Sequence, residues 1–327
     1  MTLDGIRAFL GEDWKRTERL IRSSLRSDID LLDTTNEALL SNGGKQLRSL
    51  MSLLVARACS GGRTTEDSIR FAAASELLHN ATLLHDDVVD GSTERRGVPT
   101  VMSVLGGPAA VLIGDYWLVK SIENILASPT HSEEVTRIFS KTLSDLAEGE
   151  MLQLQKAACC DTDEEDYYRI IYSKTASLFE AAGLSAAISV DASDALVEAV
   201  RAYSVSLGIA FQIKDDILDY SGEPKIGKPT GVDLNEQKIT LPLLGALKSV
   251  DDEKAGLVRR KVMQIHEHPG YSDEIRAFVF RHSGNEYASL RLNEYVKKAV
   301  EALEILPDSE EKSYLVAIAE FTASRDK

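Results

Sequence analysis

Apolar residues recur every three or four positions along most of this chain, while strand-like alternation over six residues is hard to find anywhere. From Ile69 through Ala72, Ala73, Leu77, Ala81, Leu84 and Val88 the pattern steps round without interruption. The same periodicity runs through 135–158, 166–190 and 196–219. These spacings predict an all-α protein whose helices exceed the usual length of about 11–12 residues. Only 8 prolines interrupt 327 residues, so the commonest helix breaker is scarce.

Turn signals fall between the predicted helices. They are Ser41-Asn42-Gly43-Gly44, Ser60-Gly61-Gly62 at a glycine helix cap, Gly106-Gly107-Pro108, the stretch Gly222 to Gly231, and His266 to Gly270. No linker, low-complexity tract or repeat divides the chain. The expectation is one domain over 1–327, a bundle of long helices, with residues 250–327 as peripheral helices that pack and carry no chemistry.

Composition narrows the function classes. Lys and Arg total 37 against 52 Asp and Glu, a net charge of −15, which argues against nucleic acid as a partner. Three cysteines give neither a disulfide framework nor zinc spacing, and they read as core-filling thiols. The opening residues lack the basic start and apolar run of a signal peptide, and no stretch of about 18 uninterrupted apolar residues occurs. The expected location is the cytoplasm.

Chemistry concentrates in two acidic clusters. In His85-Asp86-Asp87-Val88-Val89-Asp90, helical spacing crowds three carboxylates at one helix end. Carboxylates so close repel unless a cation sits among them, and oxygen-only ligands suit Mg²⁺. One cluster alone reads equally well as a solvated acidic helix end. However, the spacing recurs 129 residues later as Asp215-Asp216-Ile217-Leu218-Asp219, again ending an apolar helix. Because Mg²⁺ keeps waters and takes one or two carboxylates plus substrate phosphates, paired clusters point to a polyphosphate ligand held by several ions. Cations flank both clusters: Lys45 and Arg48 after a glycine turn, Arg95 and Arg96 after the first cluster, Lys174 mid-helix, and Lys228 and Lys238 after the second.

The stretches GGKQLR (43–48), ELLHNATLLHDDVVDGSTERRG (76–97), EGEMLQLQ (148–155), YSKTASLFEAAG (172–183), GIAFQIKDDILDY (208–220) and GKPTGVDLNEQKITLPLL (227–244) carry a specific resemblance. In order and spacing they resemble the trans-isoprenyl diphosphate synthases (polyprenyl synthetases) of the long-chain kind, over about residues 40–245. Gln46 and Ser49 stand where that family usually has Arg and Pro.

The resemblance implies an isoprenoid-synthase bundle around a central cavity and a prenyltransferase. Its reaction is the head-to-tail condensation of isopentenyl diphosphate onto an allylic diphosphate. Asp86, Asp90, Asp215 and Asp219 would ligate Mg²⁺, about three ions per site, supported by Asp87 and Asp216. Arg95, Lys174, Gln212, Lys228 and Lys238 would hold the allylic diphosphate, and Lys45, Arg48, His79 and Arg96 the isopentenyl diphosphate. Thr175 and Gln212 would face the allylic cation. Small residues at Ala81 and Thr82, with Leu78 a turn deeper and Phe139 as floor, imply an octaprenyl to decaprenyl product for quinone side chains. A homodimer and transient membrane contact at product release are further implications. A geranylgeranyl synthase, or a non-catalytic partner subunit, are the alternatives. His85 reads as structural.

Overall fold

The computed structural model describes residues 2–42, 44–95, 97–221 and 231–325. It is all-α. In chain order the helices are α1 (Leu3–Leu10), α2 (Glu12–Ser24), α3 (Asp30–Ser41), α4 (Leu47–Ser60), α5 (Glu66–Val89), α6 (Val101–Leu105), α7 (Gly107–Leu126) and α8 (Ser132–Cys159). They continue with α9 (Glu164–Ile171), α10 (Ser177–Ile188), α11 (Asp194–Tyr220), α12 (Val232–Asn235), α13 (Leu241–Leu247), α14 (Asp252–Met263), α15 (Tyr271–Arg281), α16 (Gly284–Ala302) and α17 (Glu310–Ser324). Between α5 and α6 a short ladder pairs β1 (Glu94–Arg95) with β2 (Val98–Pro99) antiparallel. Residues 166–190, one continuous helix by periodicity, contain instead a π-helical segment at Tyr172–Ala176.

The chain divides into two compact units. The first comprises Met1–Lys141, Leu178–Arg201 and Leu303–Ala317, and the second Thr142–Ser177, Ala202–Ala302 and Ile318–Lys327. In the first unit α5 is the central helix. Thr65 caps it by accepting from the Ser68 N–H, while the Ser68 side chain accepts from the Thr65 N–H, a reciprocal capping box. Residues on nearly every face of α5 are buried, as a helix surrounded by others requires. Small side chains let neighbours approach: the Ser49 hydroxyl donates to the Ala72 carbonyl at 2.7 Å and the Ser121 hydroxyl to Ala74 at 2.8 Å. Ile21, Leu25, Leu77, Ala81, Leu84, Ile113 and Trp117 form one apolar cluster along this helix.

In the second unit the short helix α13 is wholly buried, begins with Pro242 in its first turn, and packs against α15 and α16. Gly245 admits the Tyr287 ring, which a Cβ would meet at 2.6 Å. Val258, Val262, Ile275, Phe278, Val279, Ala288 and Leu292 join this unit's core, so the helices after residue 250 are integral to it. Of the paired cysteines Cys160 is buried, whereas Cys159 is exposed and fills no core. Among the described residues α11 is the one helix long and apolar enough to cross a membrane, and half of its apolar window is buried.

Candidate active site

The first aspartate cluster stands where α5 ends. Asp90 is the C-cap, its N–H donating to the Asp86 carbonyl at 2.8 Å. The three carboxylates do not share one environment, as helical spacing alone suggested. Asp87 turns inward and is 5% exposed, while Asp86 is half-buried and Asp90 exposed. The chain returns through β1 and sets Arg95 against Asp87, with Nε and Nη2 each 2.8 Å from Oδ1. Burial pushes the Asp87 carboxyl above the usual carboxylate range, the Arg95 guanidinium opposes this, and Asp90 adds to it. Just before the cluster, His85 packs against Gly114 of α7, where any Cβ would collide with its ring, and lies 3.3 Å from Asp115.

The other predicted groups of the first unit scatter along α4 and α5. Arg48 is buried in the first turn of α4 with its guanidinium 4.4 Å above the Phe179 ring. Lys45 is exposed on the turn before it, and Gln46 adopts a left-handed φ of 53°. Ser49 spends its hydroxyl on Ala72, so its departure from the family's proline adds a bond between α4 and α5. His79 is half-buried two turns before Asp86, and its carbonyl accepts from the Thr82 hydroxyl at 2.8 Å. Leu78, Ala81 and Phe139 are fully or almost fully buried.

In the second unit, the cluster lies on the last turns of α11, and its aspartates again differ. Asp216 is 2% exposed and takes two neutral donors: the Tyr167 hydroxyl at 2.6 Å and Gln212 Nε2 at 2.9 Å. The Gln212 carbonyl in turn accepts from the Thr175 hydroxyl at 2.8 Å, which fixes the amide's orientation. Burial drives the Asp216 carboxyl up to about 7, against its two hydrogen bonds and aided by Asp215 and Asp219. Asp219 accepts from three successive backbone N–H groups, Gly231 at 3.0 Å, Val232 at 3.1 Å and Asp233 at 3.2 Å, and so anchors the start of α12. Its carboxyl is raised by burial, while those N–H groups act the other way. Asp233, half-buried nearby, is raised well above the carboxylate range by loss of hydration and by Asp216 and Asp219.

Lys174 and Thr175 sit on the π-helical segment, whose wider turn re-aims both side chains relative to an α-helix. Lys174 pairs with Glu150 of α8. That approach depends on Gly149, where a Cβ would meet Ser173 Cβ at 2.6 Å. Lys238 pairs with Glu236. Arg96 and Lys228 lie outside the described residues. Three residues that periodicity and spacing did not single out contact the predicted ones or their segment: Tyr167 and Gly149, and Arg325, whose Nη1 lies 2.9 Å from Asp215 Oδ1.

The donor set fits a hard cation. Both clusters offer carboxylate oxygens, with no thiolate or imidazole among the predicted ligands. Among the described residues no group of three or more ligating side chains converges into a closed cage. A Mg²⁺ ion that takes one or two carboxylates and completes its shell with water and phosphate oxygens needs no such cage.

Comparison with known proteins converges on one family. A profile for the polyprenyl synthetases matches residues 29–278. Octaprenyl diphosphate synthase of Haemophilus influenzae is 38% identical over 327 residues, covering 100% of this chain and 98% of that protein. Among solved structures, a polyprenyl synthase from Caulobacter crescentus, complexed with calcium and isoprenyl diphosphate, superposes with a TM-score of 0.91 at 34% identity, covering 100% of this chain and 98% of the other. A decaprenyl diphosphate synthase from Rhodobacter capsulatus gives a TM-score of 0.90 at 34% identity, with 100% of both chains covered. With matches over its whole length, this chain belongs to the polyprenyl synthetase family and is a prenyltransferase.

Proposed function

We propose that this chain is a Mg²⁺-dependent trans-polyprenyl diphosphate synthase acting as one functional domain. It condenses isopentenyl diphosphate head-to-tail onto an allylic diphosphate to give an all-trans product of octaprenyl to decaprenyl length, of the kind used for quinone side chains. The observation that carries this reading is the repeated aspartate arrangement. In each helix the central aspartate is buried and pinned, while the first of the three stays more accessible.

In this reading Asp86, Asp90 and Asp215 would hold Mg²⁺ directly, with about three ions bound in all. Three backbone donors already occupy Asp219, which leaves roughly one of its four lone-pair positions and favours contact through water. When bound, Mg²⁺ would supply positive charge to the diphosphate leaving group. Arg95, Lys174, Lys228 and Lys238 bind that diphosphate, and Lys45, Arg48, His79 and Arg96 hold isopentenyl diphosphate for attack on the allylic carbon. Asp87 and Asp216 orient Arg95 and Gln212. The dipoles of Gln212 and Thr175 stabilise the allylic cation, and the released diphosphate takes the proton.

Ala81 and Thr82 leave depth for the growing chain beside α5, and buried Phe139 is the proposed floor. Exposed Val104, Leu112 and Val119 on α6 and α7 support a homodimer, and the lipid product a transient membrane contact. The proposed location is the cytoplasm.

The experiment is to incubate purified protein with Mg²⁺, isopentenyl diphosphate and farnesyl diphosphate, and to size the products by mass spectrometry. A ladder ending at eight to ten units is expected, and Phe139→Ala should extend it. A ladder ending at four assigns a geranylgeranyl synthase instead. No product with or without EDTA would leave a non-catalytic subunit.

A further inference from the structure

We propose that Arg325 is a positioning residue for Asp215, fixing the orientation in which the carboxylate meets a metal. This rests on the reading that Asp215 ligates Mg²⁺. Arg325 follows α17 directly, 110 residues beyond Asp215 in sequence, yet its side chain is only 4% exposed. A guanidinium that far from water must be paired, because breaking a buried pair leaves an uncompensated charge.

Both terminal nitrogens and the face of the guanidinium meet the same turn of α11. Nη1 lies 2.9 Å from Asp215 Oδ1, Nη2 donates to the Phe211 carbonyl at 2.9 Å, and the guanidinium carbon sits 4.1 Å from the Phe211 ring centroid. Phe211 and Asp215 are four residues apart and share one helix face, so a single planar group spans both. Held at the ring and at the carbonyl, the guanidinium is a fixed fitting and not a loose strap that a cation would push aside.

The consequence is a constraint on Asp215. With one lone pair of Oδ1 engaged, Oδ2 is the oxygen left fully open to a metal, and the carboxylate loses its freedom to rotate about the Cβ–Cγ bond. Asp215 itself is 31% exposed, so it needs such a brace more than buried Asp216 does. Hydrogen-bonded partners that orient a ligating carboxylate typically contribute about 10–100-fold to metal affinity or activity.

The test compares full-length wild type with Arg325→Gln, Arg325→Lys and, as a control, Arg57→Gln. Arg57 is a largely buried arginine that pairs with Glu311 at 3.2 Å in the first unit. Two quantities are read: the Mg²⁺ concentration giving half-maximal turnover, and the Mg²⁺ concentration giving half the thermal stabilisation by inorganic pyrophosphate. Arg325→Gln should raise both by about tenfold or more, and Arg325→Lys by less. The KM for isopentenyl diphosphate should stay put, and Arg57→Gln should keep the wild-type Mg²⁺ requirement. An unchanged Mg²⁺ requirement in Arg325→Gln, with only a lower Tm, would make Arg325 a packing anchor and overturn the proposal. A lower requirement would do the same, by showing that the arginine competes with the metal. Wild-type protein showing neither Mg²⁺-dependent turnover nor Mg²⁺-dependent pyrophosphate binding would instead overturn the synthase reading, and this inference with it.

Discussion

The two aspartate helices share a spacing and differ in how their carboxylates are held. At the end of α5 the buried Asp87 is balanced by a full charge, the Arg95 guanidinium, and Asp90 closes the helix beside it. On α11 the buried Asp216 is satisfied by a phenol and an amide, Asp219 by backbone N–H groups, and Asp215 by the Arg325 guanidinium. The difference is one of electrostatics. Burial raises both carboxyls; at Asp87 the Arg95 charge opposes the rise, whereas at Asp216 only two neutral hydrogen bonds oppose it and Asp215 and Asp219 add to it. The buried carboxyl of the second cluster, raised to about 7, is therefore the one that titrates near neutral pH.

The comparison breaks first at the accessible aspartates. Asp86→Ala and Asp215→Ala should each lower turnover by about a thousandfold or more, since on the proposed assignment each removes a metal ligand that stabilises charge at the departing diphosphate. Loss in one variant but not in the other would show that only one cluster works. Next come the buried partners. Arg95→Gln strips Asp87 of its charge partner and removes the proposed diphosphate ligand, and a turnover loss of about 100-fold or more is expected. Asp216→Asn keeps a side chain of the same shape for Tyr167 and Gln212, and should cost about 10-fold. Steady-state kinetics on both variants checks the ranking, and equal losses would erase the distinction drawn above.

Smaller effects sharpen the comparison. Gly149→Ala should destabilise by about 1–3 kcal/mol, measured by urea unfolding, because the new methyl runs into Ser173. It should also lower kcat by displacing Lys174. Gly114→Ala should destabilise comparably through His85. The smallest effect is on pH dependence. Asp216 has a folded-state value of about 7 against an ordinary 3.8, so between these pH values the folded protein holds a proton that the unfolded chain releases. Its contribution to stability is present at the acid end and is lost as pH rises through about 7. Thermal melts in EDTA from pH 5 to pH 8 should show a falling Tm, and Asp216→Asn should flatten the fall. Some slope should remain, because Asp219 and Asp233 are raised in the same sense. An unaltered slope in that variant would contradict the assignment.

Much of this was legible in the sequence because much of it is local. Helical periodicity located α5, α8 and α11, and the aspartate spacing marked both helix ends. The glycine cap after α4 was readable too, with Gly61 at φ 70°. What escaped is set by long-range contact. Tyr167 is 49 residues from Asp216, and Arg325 is 114 from Phe211, separations at which spacing carries no information. The π-helical turn at Tyr172–Ala176 was hidden for a different reason: one extra residue per turn barely disturbs an apolar pattern over so short a stretch. Gly149 was the available hint, a helix-interior glycine among good helix formers, and its reason is the π-helical segment it lets approach.

The most direct test of the central claim, that both helices hold metal-bound diphosphate, is calorimetric titration of inorganic pyrophosphate into wild type, Asp86→Ala and Asp215→Ala, with Mg²⁺ and with EDTA. Binding to the wild type is expected only when Mg²⁺ is present, with a loss of at least about tenfold in affinity in each variant. Pyrophosphate binding that survives EDTA, or that either variant leaves at the wild-type level, would contradict it.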